Sequence, residues 1–214
     1  MNGGAKMKIA NLYSHLNGYE YLCVHRRQLF AEIEDAITAI DANDYIKQSK
    51  MAGREGRPLY SQKDINKAFE EILFPQGWDS VRIGYYVTGD EDVEREIVAI
   101  RDKVIQKSVI ESYGLEPMFT NNQVDFVKDR VAVEVQFGKY FNVAYDLHVK
   151  HTFFYLHNDI DVGIEIIPTK AMCSKMDAGV AWFENEVANV IREGRSNPTV
   201  PIVMLGIEPD EMKI

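Results

Sequence analysis

The sequence predicts an α/β fold with a central mixed β-sheet flanked by helices. Three β-prone runs in the second half of the chain carry this prediction, because helical stretches separate them. A strand–helix–strand–helix–strand order is typical of a sheet with helices packed on it. The 214 residues, of which 46 % are hydrophobic, can build the core of one domain. We therefore expect residues 1–214 to form a single domain.

The first half of the chain is predicted to be mainly helical. Apolar residues recur at helical spacing in residues 20–40 and again in residues 91–112. A helix is also expected in residues 61–72, because a serine and an aspartate resemble a capping box at its start. Glycines among basic residues in 42–59 predict a flexible, exposed loop, and residues 82–88 are β-prone. The N-terminal helices would then cover one face of the sheet.

The second half alternates between strands and helices. Around residues 131–137 three valines and Phe137 alternate with Arg130, Ala132, Glu134 and Gln136, which is the two-residue period of a strand. Further strands are predicted at residues 162–167 and 202–207, and helices at residues 143–156 and 177–193. These elements supply the order on which the fold prediction depends.

Several classes of protein do not fit the sequence. No apolar run approaches the ~20 residues that a membrane-spanning helix needs, and no segment resembles a signal peptide. The two cysteines, Cys23 and Cys173, fit neither zinc-binding spacing nor a disulfide framework. We therefore expect a cytoplasmic protein with reduced thiols.

The charge of the chain argues against a protein that coats nucleic acid. The formal net charge is −9 at pH 7, whereas neutralising phosphates requires lysine and arginine. The charges are unevenly distributed, with acidic residues at 90–96 and 208–211 and basic residues at 47–67. An enzyme that acts on DNA is not excluded, because its acidic residues can lie on remote faces or in a metal site.

One group of polar residues in the second half can carry chemistry. The two-residue period of residues 131–137 places Glu134 and Gln136 on one face of the strand and the valines on the other. Asp125 lies nine residues before Glu134, and Lys128–Asp129 can form a turn that returns the chain along itself. Such a hairpin would bring Asp125 beside Glu134.

Two converging carboxylates and a backbone carbonyl form an oxygen site of the kind that Mg²⁺ prefers. Mg²⁺ can acidify a water molecule and offset charge on a phosphoryl group, as phosphodiester hydrolysis requires. The spacing alone is nevertheless common, because a turn aspartate followed by a solvent-facing strand gives the same pattern. That alternative stays open on the spacing alone, and Asp129 is interpreted as a turn residue.

The segment from Asp125 to Tyr140 resembles the active-site strand of the BstYI- and BglII-like type II restriction endonucleases, of which BamHI is a more distant relative. The resemblance begins at about Met7, leaves residues 1–6 as an unmatched extension, and continues in Tyr13 to Gly18, Val143 to Asp146, Asp161 to Gly163 and Asn189 to Arg192. It implies a PD-(D/E)xK nuclease core and a homodimer that cleaves palindromic double-stranded DNA.

The same resemblance assigns roles to residues of the hairpin. Asp125 and Glu134 would bind Mg²⁺ together with the carbonyl of Val135, and Glu134 would alternatively orient the attacking water. Gln136 stands where the wider superfamily has lysine, as it does in the BglII-like branch. Glu111 is matched to an accessory upstream acid. Because the relatives share a GATC centre, a similar target is expected here.

DNA contacts are expected in loops. The basic stretch 47–57 would either hold phosphates or be a solvated flexible loop without DNA contacts. By resemblance the polar stretch 168–175 would face the major groove, where bases are read. One lysine lies next to the expected metal site, and two asparagines precede Asp125. The candidate DNA-binding residues are Lys50, Arg54, Asn121, Asn122, Lys128, Thr169, Lys170, Ser174 and Lys175.

The histidines show no spacing typical of a nucleophile. His148 and His151, three residues apart on the helix predicted for residues 143–156, can share a metal ion or contribute to packing. Packing or a dimer interface is the favoured interpretation. We expect apolar and aromatic residues of this helix to form that interface.

Two other functions stay open. A repair or recombination nuclease on the same core would cut damaged or branched DNA without a palindromic preference. In a DNA-binding protein without catalysis, Gln136 would mark a decayed site, although Asp125 and Glu134 are both present.

Overall fold

The computed structural model describes residues 6–214. The unmatched extension expected over residues 1–6 therefore lies, apart from Lys6, outside the described residues. Two compact units make up the chain: the first contains the residues up to Asp79 and Asp125–Ile214, and the second contains Ser80–Val124. The assignment of residues 1–214 to a single domain stays a prediction.

Strands and helices follow one another along residues 6–214. The strands are β1 (Met7–His15), β2 (Ile46–Gln48), β3 (Pro58–Tyr60), β4 (Asp79–Val87), β5 (Met118–Lys128), β6 (Val131–Val135), β7 (Val162–Pro168) and β8 (Ile202–Pro209). The α-helices are α1 (Gly18–His25), α2 (Arg27–Ala39), α3 (Gln62–Leu73), α4 (Glu91–Ile97), α5 (Lys103–Ser112), α6 (Tyr140–Tyr145), α7 (Thr152–Leu156), α8 (Lys170–Cys173) and α9 (Phe183–Glu193). A π-helical segment, Asp146–His151, joins α6 to α7, and 3₁₀ turns lie at Ala42–Asp44 and Phe74–Gln76.

The first unit is built on a mixed sheet with the strand order β1-β8-β7-β6-β5. Strands β6, β7 and β8 are parallel, whereas β1 is antiparallel to β8 and β5 is antiparallel to β6. The predicted mixed sheet flanked by helices is therefore confirmed. The edge strand β1 was not predicted, because its residues show no regular alternation of buried and exposed positions.

The two faces of this sheet carry different helices. On one face Val133 and its neighbours pack against α2 and α3 through Ile33 and Phe69, so the N-terminal helices cover this face as expected. On the other face Met204 packs with Val143 of α6 and with residues of α9. Every residue of β6 is buried, because β6 has neighbours on both faces.

Two predicted helices are each divided in the structure. The helix expected in residues 20–40 breaks at Arg26, which has φ −139° and ψ 32°. The break lets α1 pack against β7 and β8 while α2 packs against β1 and α3. In residues 91–112 a second helix begins after Asp102, whose side chain accepts a hydrogen bond from the Val104 amide at 2.7 Å.

Three other predicted boundaries are also corrected. Residues 42–59 are not one loop, because β2 and β3 pair as an antiparallel hairpin and leave only residues 49–57 between them. Ser61 lies at the start of α3, but its side chain accepts no capping hydrogen bond. The last helix begins at Phe183, six residues later than the start expected at 177.

The second unit, Ser80–Val124, contains most of β4 and the first part of β5, which are neighbours. Helices α4 and α5 pack on each other through Val93, Ile97 and Ile110. No helix among residues 6–214 has the length and apolar character needed to cross a membrane.

Candidate active site

The β5–β6 hairpin forms as the sequence predicts, with its turn one residue later than expected. Lys128 pairs with Val131, and the two turn residues, Asp129 and Arg130, have positive φ values of 43° and 70°. Positive φ at both central positions is the geometry of a tight two-residue hairpin turn. The interpretation of Asp129 as a turn residue is therefore confirmed.

The hairpin brings the two predicted carboxylates together. Continuing its register places Asp125 opposite Glu134, and Asp125 Oδ2 accepts a hydrogen bond from the Val135 amide at 3.3 Å. Glu134 is only 1 % exposed, because the helix from Tyr140 to Leu156 covers its face of the sheet. The alternative of a solvent-facing strand is therefore wrong for Glu134.

A lysine from the covering helix meets Glu134. Lys150 Nζ lies 3.1 Å from Glu134 Oε1 and 2.7 Å from Asp146 Oδ1. Gln136 Nε2 donates to Asp146 Oδ2 at 2.6 Å, and Gln136 Oε1 accepts from the Gly138 amide at 2.8 Å. Gln136, Asp146, Lys150 and Glu134 thus form a continuous polar chain from strand to helix and back.

Burial and the charges of neighbouring groups shift the pKa values of the ionisable side chains in this polar chain. Burial raises the pKa of Glu134 well above its usual range, and the negative charges of Asp125 and Asp146 raise it further, against the attraction of Lys150. Burial also raises the pKa of Asp146, against the same ammonium. Although burial disfavours charge on Lys150, the two carboxylates outweigh it and raise the pKa of its ammonium.

The donor set fits a divalent cation bound mainly by substrate and water. No group of three or more His, Cys, Asp or Glu side chains in the part of the chain described here is arranged to hold a metal ion. Mg²⁺ commonly takes only one or two carboxylates and completes its shell with water and phosphate oxygens. Asp125 and Glu134 supply such a pair, and the repulsion between them is what a bound cation would relieve.

A second buried pair lies beneath the polar chain. His151 Nε2 is 3.3 Å from Glu165 Oε2, and Glu165 pairs with Glu134 in the register of β6 and β7. Burial raises the pKa of Glu165 well above its usual range. Burial, assisted by the charge of Lys150, lowers the pKa of His151 to about 3. The imidazole is therefore neutral at pH 7.

The geometry around His151 confirms a packing role. Gly163 makes room for its ring, since a Cβ atom on Gly163 would lie 2.6 Å from His151 Nδ1. His148 points to a different partner, with Nε2 2.9 Å from Glu193 Oε2. Because the two histidines contact separate elements, a metal ion shared between them is not supported.

Two of the candidate DNA-binding residues, Lys128 and Thr169, form hydrogen bonds with other parts of the protein. Lys128 projects from the face opposite Asp125, where its ammonium lies 2.7 Å from Glu32 and 2.8 Å from the Gln76 carbonyl. Its expected position beside the metal site is wrong, because side chains alternate along a strand and Lys128 lies three positions, an odd number, after Asp125. Thr169 is buried, where it accepts from the Met172 amide and donates to Glu208.

Other candidates are brought together around a cavity of about 410 Å³. Arg54, Lys170 and Ser174 line it with Tyr140 and Trp182, and the Lys170 ammonium lies 3.5 Å from the centre of the Trp182 ring. Lys50 is exposed in the same loop as Arg54, and Lys175 is half-buried. The structure thus places the basic loop next to the segment that follows β7, on the same cavity.

A neighbouring cavity of about 480 Å³ connects this region to the hairpin. Gln136, Lys63 and Lys139 line it, and both cavities share residues 177–180. The two cavities therefore adjoin, and we call them together the polar groove. It runs from Gln136 to Arg54 and Lys170.

Two candidate asparagines and the candidate accessory acid lie in the second unit. Asn122 is buried and donates to the Tyr85 hydroxyl at 3.2 Å, whereas Asn121 is exposed. Glu111 is exposed on α5, with its carboxylate 3.7 Å from Lys107 in a surface ion pair. Its role as an accessory acid stays a prediction.

Sequence reasoning missed Asp146, Lys150 and Glu165 as members of the site. Asp146 and Lys150 are four residues apart, a spacing that places both on one side of a helix. That spacing, together with the nearby acidic strand, was the available signal. Glu165 gave no such signal, because a lone acid inside an apolar strand does not indicate its neighbours.

The known proteins that are similar to this chain point to one family. The family model described as "Restriction endonuclease BglII/BglIII" matches residues 10–207. Among solved structures, "Crystal structure of restriction endonuclease BGLII complexed with DNA 16-mer" is 18 % identical, with a TM-score of 0.65, over 98 % of this chain and 80 % of that chain. "Crystal structure of free BglII" is 15 % identical, with a TM-score of 0.58, over 98 % and 82 %. These two structures show a shared fold. No curated protein sequence matches this chain.

Acidification is expected to destabilise the protein through His151. The pKa of its imidazole is about 3 in the folded state, whereas the unfolded chain has the ordinary value of 6.5. Between these values the unfolded state binds more protons, so the free energy of unfolding should fall with decreasing pH, by up to ~1.4 kcal/mol per pH unit from this group. Raised carboxyl pKa values, as at Glu165, contribute with the opposite sign.

The contribution of His151 is therefore measured as a difference between proteins. Urea denaturation of the wild type and of His151→Asn between about pH 7 and about pH 4 should give a shallower pH dependence for the variant. His25→Asn, at an exposed histidine, should follow the wild type. Equal pH slopes for His151→Asn and the wild type would contradict a neutral buried imidazole.

Proposed function

The chain belongs to the BglII/BglIII family of restriction endonucleases and is thus a type II site-specific DNA nuclease, and we propose that its reaction uses Mg²⁺ held by Asp125 and Glu134. The observation that carries this proposal is the meeting of these two carboxylates on adjacent strands, with the Val135 amide fixing Asp125. The Val135 carbonyl is the proposed third protein ligand. A narrower relationship to BstYI stays a prediction.

The proposed reaction is hydrolysis of a phosphodiester bond. The oxygen of water forms a bond to phosphorus, one ester P–O bond breaks, and the leaving oxygen takes up a proton to give an alcohol and a phosphate monoester. A bound divalent cation acidifies the water and offsets the charge that develops on the phosphoryl group. Asp125 and Glu134 hold that cation, and Gln136 acts through Asp146, to which its amide is bonded.

Double-stranded DNA is the proposed substrate, and the polar groove is its proposed path beside the hairpin. Lys63 and Lys139 line the part of the groove next to Gln136, and Arg54 and Lys170 line the other part. The relative of known structure was crystallised with a DNA 16-mer, which supports the same class of partner. We propose a palindromic target with a GATC centre and a cytoplasmic location, on the basis of the sequence resemblance and this substrate.

A homodimer is the proposed assembly, because two-fold symmetry matches a palindromic site with one active site per strand. The helix that covers Glu134 also exposes apolar residues to solvent. Phe141, Tyr145 and Val149 follow one another at four-residue intervals and are 59 %, 46 % and 37 % exposed. We propose that this apolar stripe meets its copy on the partner.

Removing either proposed metal ligand should abolish cleavage. Asp125→Ala or Glu134→Gln takes an oxygen donor from the cation, so plasmid cleavage in Mg²⁺ should fall by at least ~10²-fold. The measurement is single-turnover cleavage, with fragment ends sequenced to find the target. Asp129→Asn removes an exposed carboxylate from the same hairpin and should cut normally.

Near-normal cleavage by either ligand variant would remove the proposed metal site. In the wild type Ca²⁺ should support DNA binding without cutting. Fragment ends without any common sequence would instead favour a repair nuclease on the same fold.

A charge in the apolar stripe should separate the protomers. Val149→Asp would place a carboxylate in the proposed interface, where burial without a partner is costly. Light scattering of the wild type should give twice the 24.5 kDa of one chain, and the variant should give a single chain. Val24→Asp, at a highly exposed valine of α1, should remain dimeric. A wild type that stays monomeric both free and on DNA would contradict the proposed dimer.

Phosphate contacts and base contacts should respond differently to mutation. Lys50→Ala or Arg54→Ala should weaken binding to any duplex and reduce the salt slope by about one unit. Lys170→Ala or Ser174→Ala should cost ~1–3 kcal/mol on a GATC-centred palindrome and little on random DNA. Salt titrations of binding in Ca²⁺ on both duplexes provide the measurement. Uniform weakening by the second pair would show that bases are read elsewhere.

A further inference from the structure

We propose that Lys150 is a catalytic residue, whose ammonium donates to the scissile phosphate or to the attacking water beside Glu134. This inference rests on the proposed nuclease function and adds a residue from outside the hairpin. The ammonium already touches Glu134, at 3.1 Å, in a site where a phosphate oxygen must arrive for cleavage. This position would place a positive charge of the protein next to the reacting phosphate.

The donors of Lys150 leave room for such a contact. An ammonium carries three N–H groups, and among the described contacts two are directed to Glu134 and Asp146. The side chain is 19 % exposed, so the head group is shielded but not sealed from the site. The third donor is therefore available to an oxygen of the substrate or of water.

The surroundings of Lys150 hold it in one orientation. Asp146 binds its ammonium at 2.7 Å and is itself held by the Gln136 amide at 2.6 Å. Gly138 donates its amide to Gln136 Oε1 and leaves room for this side chain, because a Cβ atom there would lie 2.5 Å from Oε1. A glutamine amide carries no positive charge, so Gln136 and Asp146 act as positioning residues and Lys150 provides the charge.

A role limited to neutralising buried carboxylates explains less of this arrangement. One ammonium faces the carboxyl groups of Asp125, Glu134 and Asp146. A lysine that only neutralised Glu134 and Asp146 would use two of its three donors. A positioned charge or donor at developing negative charge is worth about 10²–10³-fold in rate.

The test compares Lys150→Met, Lys150→Arg and Lys150→Ala in single-turnover cleavage with Mg²⁺. We expect Lys150→Met to lose about 10²–10³-fold in rate and Lys150→Arg to lose less, because arginine keeps the charge. Calorimetric titration with Ca²⁺ and DNA binding in Ca²⁺ should stay within a few-fold of the wild type. Lys8→Met removes an exposed lysine paired with Glu208 and Asp210 and should cut normally.

Chemical rescue separates catalysis from structure. Ethylammonium or propylammonium added to Lys150→Ala should restore part of the rate, whereas tetramethylammonium, which has the charge but no N–H donor, should not. Gln136→Leu retains the ammonium of Lys150, although it removes the amide that holds Asp146, and should not respond to either amine. If Lys150→Met does not fold, Lys150→Arg and this rescue decide the outcome.

Three results would overturn the inference. Wild-type cleavage by Lys150→Met or Lys150→Ala would remove Lys150 from the reaction while leaving the nuclease assignment intact. A rate loss matched by an equal loss of Ca²⁺ binding, without rescue by amines, would show a structural role only. A wild-type protein that cuts no DNA would overturn the proposed function together with this inference.

Discussion

A carboxylate removed from water must find a partner or a proton, and this constraint shapes the first unit of the molecule. Glu134, Asp146 and Glu165 are all buried between the sheet and the helix that runs from Tyr140 to Leu156. An unpaired buried charge costs several kcal/mol, whereas one that is paired and hydrogen-bonded is tolerated. The helix supplies both partners, Lys150 for the first two acids and His151 for the third.

The two faces of the sheet differ in role, because one forms the apolar core and the other carries the candidate active site. The face under α2 and α3 is an apolar core, and its burial provides the favourable free energy of folding. The opposite face can then accommodate ionisable groups whose pairing is close to neutral in stability. Strand β6 belongs to both, since Val133 faces the core and Glu134 faces the helix. The same strand thus holds the proposed metal-binding carboxylate and anchors it in the core.

How far the sequence predicts the site depends on the range of each interaction. Asp125 and Glu134 are joined by a two-residue turn, so alternation along one hairpin was enough to bring them together. The same alternation places Lys128 on the wrong face for the site, although it is close in sequence. Thr169 looked like a polar loop residue because its hydrogen-bond partner, Glu208, lies 39 positions further along the chain. Lys150 reaches Glu134 only through helix-on-sheet packing, which no local pattern encodes.

The π-helical segment Asp146–His151 has a consequence for how relatives of this chain are aligned. A π-helical turn accommodates one residue more than an α-helical turn, and so brings residues five apart to nearly the same side. Asp146 and His151 both face the sheet for this reason. A relative with one residue fewer here can close the turn as ordinary α-helix and keep the residues from Thr152 onward on the same side of the helix. A single-residue gap in such an alignment would therefore fall within Asp146–His151, and the residues before and after this segment would stay in register.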